Sequence, residues 1–185
     1  MKVADAVAHI LKAEGVEYLF AYPVNHLIEA AAKVDIRPII VRQERIGMHM
    51  ADALSRVNSG KKVGVFCMQH GPGSENVFGG VAQAFADSVP VVVLPMGQPR
   101  ALTSVPPHFT SSLNFRNITK SCELLTDPSA TPDALRRAFS LARNGRPGPT
   151  LVEIPTDVMD ADIPDDLNYR PVAVYRSAPD PGDVQ

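Results

Sequence analysis

Residues 63–76 read Val63-Gly64-Val65-Phe66-Cys67-Met68-Gln69-His70-Gly71-Pro72-Gly73-Ser74-Glu75-Asn76. The first six are apolar or small with no alternation, as a parallel strand buried on both faces requires. Gly71-Pro72-Gly73 is a tight turn. Ser74 is a good helix cap, and helical spacing continues to about residue 86. Strand, turn and helix follow one another within 24 residues, and the same alternation appears on either side.

Upstream, Val3, Val7, Ile10 and Leu11 recur at helical spacing and Gly15 follows as a stop. Residues 16–22 and 36–41 read as strands. Between them Asn25 is placed to cap a helix through Leu27, Ile28, Ala31 and Val34. Glu44 opens a helix whose expected apolar face is Ile46, Met50, Ala53 or Leu54, and Val57. Downstream, residues 91–94 are a fourth apolar strand and 119–125 a candidate fifth. Thr131 with Pro132 starts a helix, and residues 150–154 form a last strand. Residues 98–114 have no periodicity and read as a long surface loop. The expected fold is α/β, a doubly wound, mostly parallel sheet of five or six strands with helices on both faces. Residues 1–165 are expected to form the domain and 166–185 a polar, proline-containing linker or tail.

In such a sheet the strand C-termini share one edge, and ligands bind there where strand order reverses. The loops at that edge are 21–25, 42–44, 69–76 and 97 onward. They carry the candidates Pro23, Asn25, His26, Glu44, Gln69, His70, Gly71, Pro72, Gly73, Asn76 and, in the long loop, His108. Glu44 stands at a strand tip and a helix start. From position alone it reads first as a carboxylate on the helix dipole, and only second as a site residue. His9 and His49 read as helix-surface residues. The arginines Arg136, Arg137, Arg143 and Arg146 read as a solvated face.

Composition excludes several classes. Of 185 residues, 18 are Lys or Arg and 20 Asp or Glu, a net charge of −2, against a nucleic-acid binder with its basic excess. Hydrophobic residues make up 45%, enough for a full core. The two cysteines, Cys67 and Cys122, have neither disulfide-framework nor zinc spacing, and Cys67 reads as a core residue. No metal-ligand spacing, P-loop, G-x-G-x-x-G or G-x-S-x-G occurs. No apolar run is long enough to span a membrane, and no signal peptide is readable. A cytoplasmic location is expected.

Three segments together resemble the N-terminal, pyrimidine-binding domain of thiamine-diphosphate-dependent enzymes, nearest the acetolactate synthase and 2-oxo acid decarboxylase group. Arg42-Gln43-Glu44-Arg45 with Ala51-Asp52-Ala53 and Arg56 resembles R-H-E-x-x-A-x-x-x-A-D-G-x-A-R. Gly71-Pro72-Gly73-Ser74-Glu75-Asn76 with Gly80, Ala84, Asp87 and Pro90 resembles G-P-G-x-x-N-x-x-x-G-x-x-x-A-x-x-D-x-x-P. Arg146-Pro147-Gly148-Pro149 with Pro155 and Asp157 resembles R-P-G-P-V-x-x-x-x-P-x-D. The match runs in family order over residues 1 to about 160.

The resemblance implies thiamine diphosphate as cofactor and a small 2-oxo acid as substrate, decarboxylated with or without carboligation. It implies that Glu44 meets N1′ of the aminopyrimidine and favours the imino tautomer whose nitrogen takes the C2 proton. Such a role needs a carboxyl shielded from water. Pro23, Asn25, Gly71, Pro72, Gly73 and Asn76 fall on the pyrimidine side, and His26, Gln69, His70 and His108 on the substrate side. The family's diphosphate and Mg²⁺ sit on a separate domain marked by G-D-G, and Gly182-Asp183 does not match it. The implied partners are therefore a diphosphate-binding domain, of the same or another chain, and a second copy in a homodimer or larger assembly. Activity is not expected without that domain, and exposed apolar surface is expected. Ala21 and Val24 stand where the family has glycines, Gln43 where it has histidine, and the Phe-Gln-Glu run of acetolactate synthases is missing. The alternative is a non-catalytic binding or regulatory module that kept the fold.

Overall fold

The computed structural model describes residues 1–185 except Val24, Ser104, Arg176, Ser177, Asp180, Pro181 and residues 183–185. The readings made on Val24, Asp183 and the end of the tail therefore lie outside the described residues. Six parallel strands form one sheet in the order β2-β1-β3-β4-β6-β5. They are β1 (Tyr18–Ala21), β2 (Arg37–Ile40), β3 (Gly64–Met68), β4 (Val91–Gly97), β5 (Ser121–Leu124) and β6 (Thr150–Pro155). The helices are α1 (Val3–Ala13), α2 (Leu27–Lys33), α3 (Glu44–Val57), α4 (Pro72–Glu75), α5 (Phe78–Ala86), α6 (Ser111–Asn114), α7 (Thr131–Arg143) and α8 (Thr156–Met159). The doubly wound reading is correct.

Alternation along each strand divides the core. Leu19, Val65, Cys67, Val92, Leu94, Val152 and Ile154 meet α1, α2, α7 and α8. Phe20, Phe66, Met68, Val91, Val93 and Leu151 meet α3 and α5 on the other face. Every residue of β3, β4 and β6 is buried, whereas the edge strands β2 and β5 are only partly so. Central parallel strands lose water on both faces, and edge strands do not.

Strand order reverses twice. The chain leaves β1 for one face of the sheet and β3 for the other, and β4 and β6 diverge likewise. The C-terminal edge thus has two crevices, one between β1 and β3 and one between β4 and β6.

Several readings are corrected. Helix α3 buries Gly47, Met48, Ala51, Asp52 and Ser55, while Ile46 is 49% and Val57 80% exposed. The face chosen as apolar faces out. The inward face is built of small residues because α3 lies close on the sheet: a Cβ on Gly64 would stand 2.0 Å from the Ala51 carbonyl oxygen, and one on Gly47 2.4 Å from the Phe66 ring. The helix after Gly71 is broken into α4 and α5, with Ser74 inside α4 rather than capping a longer one. Ala130, not Thr131, caps α7; the Thr131 hydroxyl donates back to the Pro128 carbonyl at 2.6 Å. The loop 98–114 is not structureless. It holds a 3₁₀ turn over Arg100–Leu102 and α6.

Beyond α8 the chain stays against the domain. The carboxylate of Glu14, with no exposed side-chain surface, takes an ion pair from Arg143. It also accepts from the Tyr169 hydroxyl at 2.5 Å and from Val172 N–H at 2.9 Å. Arg143 therefore lies in a buried ion pair and not on a solvated face. Asn144 donates to the Ala173 carbonyl at 3.1 Å and accepts from Tyr175 N–H at 2.7 Å. Burial and the Glu14 carboxylate together push the Tyr169 phenol above its ordinary value.

Candidate functional site

Glu44 is the first residue of α3, directly after the tip of β2, and is buried to 5% exposure. Asn76, following α4, donates from Nδ2 to Glu44 Oε2 at 2.9 Å. Two positions 32 apart in sequence are joined across the tip of β1, because α3 follows β2 and α4 follows β3, the strands on either side of it. Among the described residues Glu44 Oε1 receives no hydrogen bond. The pair therefore offers one carboxylate oxygen fixed by an amide and one free, at the ligand edge.

The glycine turn is sterically required. Gly71 has φ +63°, the region glycine enters without strain. A Cβ on Gly73 would stand 2.7 Å from Gln69 Cγ. The turn leads into Asn76, the residue whose amide holds the carboxylate. A buried acid with one oxygen left for a ligand fits a heteroaromatic ring nitrogen that shares a proton with it.

Asn25 is buried in the first crevice, with both polar ends engaged. Its Nδ2 donates to the Met68 carbonyl at 3.1 Å, and its Oδ1 accepts from Leu27 N–H at 2.9 Å. It ties β1 to β3 and starts α2. Pro23, Asn25 and His26 line a cleft of about 580 Å³ with Ile28, Glu29, Ile40 and Asp160. His26 Nδ1 lies 2.8 Å from Asp160 Oδ1, both well exposed. His70 Nδ1 lies 3.2 Å from Gln98 Nε2, joining the tips of β3 and β4. His108 is on the exposed part of the loop and joins none of these groups. Pro72 opens α4 and is exposed.

Many of the quoted signature residues turn out to be structural. Arg56 donates to Asp52 and Asp87, each at 2.8 Å, fastening α3 to the end of α5. Arg146 donates to Ser88 Oγ at 2.5 Å. Asp157 accepts from Arg100 Nε at 2.7 Å and from its backbone N–H at 3.0 Å. Sequence reading missed Gln98, Ser111 and the buried Glu153, since no spacing marks them. Burial raises the Cys67 thiol well above its ordinary value and pushes Cys122 up to about 11, so both are protonated at neutral pH. Among the described residues no cluster of three or more His, Cys, Asp or Glu is placed to hold a metal ion. No helix among them is long and apolar enough to cross a membrane.

The family model described as "Thiamine pyrophosphate enzyme, N-terminal TPP binding domain" matches residues 1–120. The chain is similar to the probable acetolactate synthase large subunit of Methanocaldococcus jannaschii, 34% identical over 93% of this chain and 29% of that protein. It is similar to the acetolactate synthase large subunit of Haemophilus influenzae, 32% identical over 94% of this chain and 31% of that protein. It also matches the acetolactate synthase isozyme 3 large subunit of Escherichia coli, 34% identical over 84% of this chain and 28% of that protein. The chain spans about 30% of the length of these relatives. It belongs to the thiamine pyrophosphate enzyme family, as the N-terminal TPP-binding domain of its acetolactate synthase-like members.

Proposed function

We propose that this chain is the pyrimidine-binding part of a thiamine-diphosphate enzyme acting on a small 2-oxo acid, with Glu44 as the group that activates the cofactor. The observation that carries the reading is the buried Glu44 carboxylate, held at one oxygen by Asn76 and free at the other. When bound, thiamine diphosphate supplies the carbon nucleophile and the electron sink for the 2-oxo acid.

The residues of this chain bind and orient. Glu44 Oε1 holds a proton against the ring nitrogen of the pyrimidine. Asn76 keeps the carboxylate from swinging away. Gly71 and Gly73 let backbone approach one side of the ring, and Pro23 lines the adjoining cleft. Gln69, His70 and His26 lie at the same edge as candidate substrate contacts. The diphosphate and its Mg²⁺ are left to a separate domain, in keeping with a chain that spans under a third of its relatives. The exposed apolar residues of α3 are assigned to pairing with a second copy.

The test joins this chain to a diphosphate-binding domain with thiamine diphosphate, Mg²⁺ and pyruvate. Pyruvate loss that needs both parts and drops at least about a hundredfold in Glu44→Gln agrees with the reading. Loss indifferent to that substitution removes Glu44 from the role. No cofactor binding at all favours a non-catalytic module.

A further inference from the structure

The loop after β3 is gripped at three points. At its start, Asn25 donates to the Met68 carbonyl at 3.1 Å. At its end, Asn76 donates to Glu44 Oε2 at 2.9 Å. Between them Gln98, the residue directly after β4, meets His70 Nδ1 at 3.2 Å. The segments after β1, β2 and β4 thus each hold one point of residues 68–76.

The middle tie differs from the other two. A carbonyl and a carboxylate only accept, whereas either nitrogen of a neutral imidazole can donate or accept. The group facing His70 Nδ1 is the amide nitrogen of Gln98, which only donates. Nδ1 therefore accepts, and the ring proton of neutral His70 sits on Nε2. Among the described residues Nε2 has no hydrogen-bond partner. Asp52 Oδ1 is the one fully buried side-chain nitrogen or oxygen among them that lacks a partner, so Nε2 of the half-buried His70 is open to a ligand. Gln98 stands on a fixed backbone. Gly97 before it pairs with Pro155 in the sheet, and Arg100 after it is pinned to Asp157 through its side chain and its N–H.

Resting on the function proposed above, we propose that Gln98 is a positioning residue that fixes His70 as a neutral Nε2–H donor to the carboxylate of the 2-oxo acid. Gln98 touches no substrate and acts through the ring. A carboxylate suits the donor because it only accepts, and every 2-oxo acid carries one. The donor is separate from the Glu44–Asn76 pair, so reversing it weakens capture of the acid and spares activation of the cofactor.

Two readouts test this, both at about pH 8.5, well above the ordinary histidine value. On the chain alone, the ring-nitrogen NMR shifts of His70 report the tautomer. Wild type is expected to carry the proton on Nε2. Gln98→Glu keeps the side-chain length but sets an acceptor opposite Nδ1, and the proton is expected to move there. In the enzyme joined to its diphosphate-binding domain, Gln98→Glu is expected to raise KM for pyruvate about tenfold, leaving kcat and cofactor affinity within about twofold. Gln98→Met removes the tie without reversing it and is expected to raise KM about threefold. A tie that served structure alone would give the opposite order, since glutamate keeps a hydrogen bond to the ring and methionine loses it. The added charge is controlled in a His70→Ala background, where Gln98→Glu should change KM by less than about twofold. A wild-type proton on Nδ1, or one that stays on Nε2 in Gln98→Glu, overturns the orientation by Gln98. An unchanged KM in Gln98→Glu, a larger rise in Gln98→Met, or a further rise in the His70→Ala background overturns the contact with substrate. If wild type turns over no 2-oxo acid while the proton sits and moves as expected, the functional reading fails and the orientation of His70 stands.

Discussion

Single residues set how closely this molecule packs and how the Glu44 carboxylate is held. Gly64 is the sharpest case of packing: its α-hydrogen faces the Ala51 carbonyl, and a methyl there would penetrate backbone. Gly64→Ala is expected to cost about 3 kcal/mol, the upper end for overpacking, because neither β3 nor α3 can give way. Urea unfolding measures it, and a loss below about 1 kcal/mol would contradict the close approach of α3 to the sheet. The chemistry at this scale was legible only in part. Glu44 stood out in sequence as a carboxylate at a strand tip, but an N-terminal acid on a helix has an ordinary role too. The Asn76 amide at 2.9 Å from its carboxylate is a contact between distant loops that no local pattern encodes. Asn25 was read as a cap and a cofactor contact. Its side chain accepts from Leu27 N–H at the start of α2, as a cap does, and also donates to the Met68 carbonyl at the end of β3, a tie no local pattern encodes.

At the scale of elements, α3 shows why sequence pattern misleads. Its large apolar residues recur at helical spacing, yet the sheet takes Gly47, Met48, Ala51 and Ser55 instead. Hydrophobic periodicity counts side chains, whereas close helix–sheet packing selects small ones. Ile46 and Val57 are left exposed, Met50 and Leu54 are half-buried against the core, and Phe78 and Phe85 on α5 are exposed as well. Apolar exposure of this kind on a folded domain marks an interface. Sedimentation should show self-association of the chain. Val57→Glu should weaken it at least about tenfold without lowering the unfolding temperature, since Val57 is 80% exposed. Association equal to wild type would contradict pairing through α3. Strand existence and order of appearance were easy to read, because β3, β4 and β6 are unbroken buried runs. The loop after β4 was not, because its order comes from Glu153, Ser74 and Asp157, all distant in sequence.

For the molecule as a whole, two reversals of strand order create two crevices at one edge of the sheet. The segment after α8 is tied to the domain by hydrogen bonds at several points. Its ties run from Tyr169 and Val172 to Glu14, and from Asn144 to the backbone of residues 173 and 175. Composition alone made residues 166–185 read as a linker, since a polar, proline-rich stretch has no periodicity to reveal that Glu14 waits for it. The folded unit is therefore expected to extend to about residue 175. Glu14→Ala would leave the nearly buried Arg143 unpaired and should cost about 3 kcal/mol. A chain ending at residue 165 should lose a similar amount by thermal unfolding. Equal stability of either variant with wild type would return the segment to linker status.

The activating role proposed for Glu44 is measured most directly by hydrogen–deuterium exchange at C2 of bound thiamine diphosphate. It is followed by NMR with this chain joined to a diphosphate-binding domain, and it needs no substrate. Wild type should exchange the proton at least about a hundredfold faster than Glu44→Gln at equal cofactor occupancy. Equal exchange rates at equal occupancy would contradict the assignment.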